Sequence, residues 1–90
     1  MGYEYMLDFE VSNPVEADAV LRAIDGFEGF NAEFDLYLFR RKATESMPDA
    51  HAKVETTGIY ICDNGGSFEI VKDIQAAFAS IGLRADLREL

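Results

Sequence analysis

Apolar residues recur at every second position from Tyr3 to Val11, placing Tyr3, Tyr5, Leu7, Phe9 and Val11 on one side and Glu4, Met6, Asp8 and Glu10 on the other. A period of two belongs to a half-buried strand. The run stops at Ser12-Asn13-Pro14, where Asn13 suits an N-cap, Pro14 the first helical position and Glu16 the acid of a capping box. Helical spacing follows. Ala17, Val20, Leu21 and Ile24 share one face, and Asp18 stands four residues before Arg22. The pattern predicts a helix that stops near Asp25-Gly26, where glycine accepts the left-handed cap.

Glycines then interrupt the phenylalanines between Phe27 and Asn31, and no clear period holds. Alternation returns with Phe30, Ala32, Phe34, Leu36 and Leu38, which predicts a second strand reaching Lys42. Ala43 to Ala52 contains Pro48 and several polar residues, so it reads as a long hairpin loop and the segment expected to move most. Lys53 to Asp63 carries Val54, Thr56, Thr57, Ile59, Tyr60 and Ile61, the composition of a third, central strand, with Gly58 marking a bulge or a close backbone approach. Asp63-Asn64-Gly65-Gly66-Ser67 is a turn cluster, after which Ile70, Val71, Ile74, Ala77, Phe78 and Ile81 mark the face of a second helix ending at Gly82. Leu83 to Leu90 alternates weakly and reads as a short edge strand.

The order of elements is therefore βαββαβ, in a single α+β domain spanning residues 1–90. It resembles the split βαβ, ferredoxin-like arrangement. That resemblance implies a four-stranded antiparallel sheet with both helices on one face and the first and third strands in the middle. It implies no activity, because this topology hosts many unrelated ones.

Composition narrows the partners. At 49% hydrophobic and 28% charged the chain is an ordinary globular protein, and its net charge of −9 repels a phosphate backbone. Nucleic acid is disfavoured, and the short cluster Arg40-Arg41-Lys42 reads as a solvated strand end. No apolar stretch is long enough for a membrane helix, and the acidic N-terminal segment does not resemble a secretory signal. A lone cysteine, Cys62, fits a reducing compartment, so the expected location is cytoplasmic.

Candidate chemistry is sparse. His51, the single histidine, falls in the expected loop as an exposed residue with no companion ligands, so neither a metal nor another cofactor is expected. A Cys62–His51 pair is conceivable, but nothing in the sequence lowers the thiol's pKa, and Cys62 reads as a small half-buried hydrophobe. No catalytic residue is assigned. The turn Asp63, Asn64, Gly65, Gly66 and Ser67 precedes a helix whose N-terminal amides could hold an anion, which makes it a weak ligand site and supports an alternative reading as a small-molecule-binding regulatory domain.

More pointed is the sheet face turned away from the helices. If Leu7, Leu36 and Ile59 face the helices, then Met6, Tyr37, Phe39 and Tyr60 face outward among Glu4, Asp8, Glu10, Glu33 and Asp35. An aromatic, acidic face suits protein partners better than RNA. The sequence thus points to a non-enzymatic interaction module, either a homodimer or an acidic, inhibitor- or immunity-like binder of a basic protein, with Met6, Asp8, Glu10, Tyr37, Phe39 and Tyr60 as the contact residues.

Overall fold

The computed structural model describes residues 3–44, 46–64 and 68–90. They form β1 (Tyr3–Asp8), α1 (Pro14–Arg22), β2 (Phe27–Asn31), β3 (Leu36–Phe39), β4 (Ala50–Glu55), β5 (Gly58–Asp63), α2 (Glu69–Ser80) and β6 (Leu87–Glu89). All six strands join one sheet in the order β2-β3-β4-β5-β1-β6, and every neighbouring pair is antiparallel. The α+β class holds. The four-stranded ferredoxin-like arrangement does not.

Two tight turns account for the difference. The alternation read as one strand from Phe30 to Lys42 hides a hairpin, because residues 32–35 turn the chain back between β2 and β3. Asn31 drives that turn, its Oδ1 accepting from the amides of Glu33 at 2.9 Å and Phe34 at 3.3 Å, and Asp35 closes it at φ 56°. The run Lys53 to Asp63 is likewise two strands folded about Thr56-Thr57, with Lys53 opposite Tyr60 and Glu55 opposite Gly58. Gly58 is the close approach its position suggested: at φ 145°, a Cβ there would run into the Leu7 carbonyl oxygen. No side chain fits there.

The helices start and stop where local chemistry directs. Asn13 Oδ1 accepts from the Glu16 amide at 3.1 Å, and Pro14 begins α1. After α2, the Leu83 amide reaches the Phe78 carbonyl at 2.9 Å and the Gly82 amide reaches Ala79 at 3.1 Å, a Schellman closure around Gly82 at φ 89°. Ala17, Leu21 and Ile24 from the first helical segment meet Ile70, Val71, Ile74 and Phe78 of α2 over Leu7, Ile59, Ile61, Ala50, Ala52, Tyr37 and Phe39. That single layer between helices and sheet is the core.

The segment between β3 and β4, residues 40–49, is as long as the expected loop but begins and ends three residues earlier, so that β4 starts at Ala50 and includes His51. It is also tied down. Asp49, buried, accepts from the amides of Arg41, Lys42 and Ala43 at 2.5, 2.8 and 3.2 Å, and these donors hold its carboxyl below the usual carboxylate range. Arg40 reaches the carbonyls of Ala43, Ser46 and Met47 as well as the Glu28 carboxylate. The basic cluster is thus paired with acids, Arg41 also meeting Asp73 at 2.7 Å and Lys42 meeting Glu69 at 3.9 Å. Among the described residues, no helix is long and apolar enough to cross a membrane.

Candidate functional site

The side chains of the open sheet face are set by strand register. Glu4 of β1, Cys62 of β5, His51 of β4 and Leu38 of β3 form one row across it, and Arg88 of β6, Met6, Tyr60 and Lys53 form the next. None of these eight belongs to the core cluster. Leu36 and Leu38 lie half-buried on this face, and Met6 and Cys62 are enclosed by their neighbours. Charges rim the apolar centre in balanced fashion: Arg88 grips Asp8 at 2.8 and 3.0 Å, and Glu4 accepts the Tyr60 hydroxyl at 3.0 Å.

This is a different face from the one the alternation suggested. Met6, Asp8 and Tyr60 lie on it, and Glu10 is exposed just beyond β1. Tyr37 and Phe39 do not. Their side chains, 6% and 0% exposed, lie in the core beneath the helices, because the turn at residues 32–35 reverses the chain and resets the phase of β3. Leu36 and Leu38 take the outward positions instead. Glu33 and Asp35 move to the hairpin turn, so the open face is less acidic and less aromatic than expected.

Cys62 and His51 are cross-strand neighbours, yet their surroundings oppose a reactive pair. Burial pushes the Cys62 thiol up, and Glu4 and Asp63 add to the rise, so the thiolate is disfavoured. Burial also lowers the His51 pKa, which keeps the imidazole neutral. The thiol donates to Asn64 Oδ1 at 3.3 Å, while Asn64 Nδ2 donates to the Pro48 carbonyl at 3.2 Å and lies 3.4 Å from His51 Nδ1. Asn64 therefore serves as a clasp between two loops. Asp63 is buried, and Gly65, Gly66 and Ser67 of the proposed ligand turn lie outside the described residues. Among the described residues, no three His, Cys, Asp or Glu side chains converge as a metal would require.

On the opposite face, at the far end of β4 from His51, a cleft of about 280 Å³ opens between the α1 start and the two hairpin turns. Val11, Pro14, Phe30, Tyr37 and Val54 wall it, and Asp35, Glu55 and Thr56 complete the lining. Phe30 and Tyr37 pack against each other with ring planes tilted by 55° and centroids 4.7 Å apart. The Tyr37 hydroxyl donates to Asp18 at 2.6 Å, and burial together with that carboxylate pushes its pKa up to about 12.

Neither known protein families nor curated proteins nor solved structures match this chain. Function has to be read from the two surfaces themselves. Sequence reasoning misses the cleft because Asp35 and Thr56 lie in turns, and Phe30 and Glu55 at the strand ends beside them, where the pattern reads as continuous strand. The available signals were Asn31 and Asp35 bracketing a short polar interval and Thr56-Thr57 directly ahead of a glycine.

Proposed function

We propose that this chain is a non-enzymatic interaction module that pairs with a second copy of itself through the open sheet face. The observation that carries the reading is the apolar group of Leu36, Leu38 and Tyr60, partly exposed beside the buried Met6, on a sheet face outside the core beneath the helices. An antiparallel sheet with one solvated face ordinarily lines it with polar residues. Apolar centres with polar rims belong to protein interfaces.

The near balance of charge around that centre favours a second copy over an unlike partner. In a two-fold pairing each residue meets the other copy's counterpart surface, so Lys53 of one chain can face Glu4 of the other. Stacked sheets pack about 10 Å apart, a spacing that Leu38 and Tyr60 from both copies can fill. A buried, unpaired thiol at Cys62 is compatible with this role in the cytoplasm.

Sedimentation equilibrium tests the reading. A dimer that Leu38→Asp converts to a folded monomer is the expected result, whereas a wild-type monomer at high micromolar concentration overturns it. The net charge of −9 supports a second reading, a basic protein as partner, and salt separates the two. Screening relieves repulsion between two acidic copies and so tightens a homodimer, but it weakens attraction to a basic protein.

A further inference from the structure

The cleft between the α1 start and the two hairpin turns is remote from the open face and calls for an occupant of another kind. The geometry points to a binding site for a small amphiphilic organic cation, an ammonium carried on a short alkyl or aryl stem. Its volume of about 280 Å³ falls just below the range of drug-sized sites, roughly 300–1,000 Å³, and so suits a small ligand. Val11, Pro14, Phe30, Tyr37 and Val54 offer the stem an apolar seat.

Charge selects the head group. Asp35 and Glu55 line the cleft, both lie exposed, and neither forms an ion pair among the described residues. No basic residue lines it. Arg22 stands beside two of the lining rings, its guanidinium 5.5 Å from the Phe30 centroid and 5.9 Å from that of Tyr37. Asp18 neutralises it through contacts of 2.9 and 3.0 Å, so it does not oppose a bound ammonium. Its placement also demonstrates that these rings accept a cation against their faces. An anionic ligand would meet two carboxylates at close range in a chain already at −9, and a neutral one would leave both unanswered.

Calorimetric titration with phenethylamine, phenethyl alcohol and 3-phenylpropionate tests the assignment. The amine should bind, the alcohol more weakly and the acid not at all. Asp35→Asn with Glu55→Gln should weaken the amine about threefold to tenfold and leave the alcohol unchanged, as expected of two partly exposed charge contacts. Asparagine keeps the positive φ at position 35, so the turn is preserved in that variant. Equal binding of all three probes, amine binding indifferent to the double substitution, or no heat from the amine at millimolar concentration would each overturn the proposal. So would capture of an arginine-bearing peptide where the free amine fails, since the cleft would then serve a protein partner. Binding that survives in the Leu38→Asp monomer separates this site from the dimer interface.

Discussion

Leu38 and Phe39 are consecutive residues of β3, and they face opposite environments. Phe39 is fully buried against the helices, edge-on to Phe27 with ring centroids 6.0 Å apart, while Leu38 lies half-buried beside His51 on the face with no helix. One side of the sheet is occupied by this chain's own helices. The other is left for something else. The lesson is that apolar content alone does not distinguish a residue that holds the fold from one that contacts a partner; register does, and register here depends on one turn four residues upstream.

The sharpest way to break that contrast is to truncate its buried member. Phe39→Ala should cost about 3–5 kcal/mol, the usual range for emptying a large aromatic from a packed core, and in a chain of this size that is much of the total stability. Chemical denaturation measures it directly. Had Phe39 been a contact residue on an open face, the same substitution would leave the midpoint nearly unmoved.

What was legible in the chain follows the same division. Both helices were readable because their signals are local: Asn13, Pro14 and Glu16 open the first, and Gly82 closes the second. The first strand and its phase were readable because no turn interrupts Tyr3 to Asp8. Phe30, Ala32, Phe34, Leu36 and Leu38 misled because four residues of turn preserve a period of two by chance, so the pattern continues on paper while the chain reverses. The candidate face was misplaced by that one coincidence. Tyr37 and Phe39 lie inward and one extra strand results, while the Thr56-Thr57 turn accounts for the other.

A smaller effect should come from Asp49, which belongs to neither face but fixes the segment joining β3 to β4. Its carboxylate answers three backbone amides, so Asp49→Ala should cost about 2–3 kcal/mol, with Asp49→Asn recovering part of that through its remaining acceptor oxygen. Because folding lowers its pKa, the contribution is present above the ordinary value near 3.8 and is lost as pH falls through the lower folded value. Acid denaturation of wild type and Asp49→Asn, followed by circular dichroism, should therefore diverge near neutral pH and converge in strong acid. Parallel curves at every pH would assign Asp49 a purely steric role.

Tyr37 gives the mildest test and the one closest to the boundary between core and cleft. Its ring is buried while its hydroxyl reaches Asp18, so Tyr37→Phe keeps the packing and removes one charge-assisted hydrogen bond, worth about 1–2 kcal/mol at neutral pH. The phenol's pKa rises from 10.0 in the unfolded chain to about 12 in the fold. Folding therefore favours the neutral form, and its stabilisation is complete below pH 10 and declines as pH rises toward 12. Tyr60, raised by burial and by Glu4, contributes a slope of the same sign, so the wild-type decline should be steeper than that of Tyr37→Phe and not absent from the variant. Denaturant midpoints collected across the alkaline range resolve the difference. If the two proteins lose stability at the same rate, the Tyr37–Asp18 contact does not persist in solution, and the cleft wall it anchors is less fixed than the ring contact with Phe30 implies.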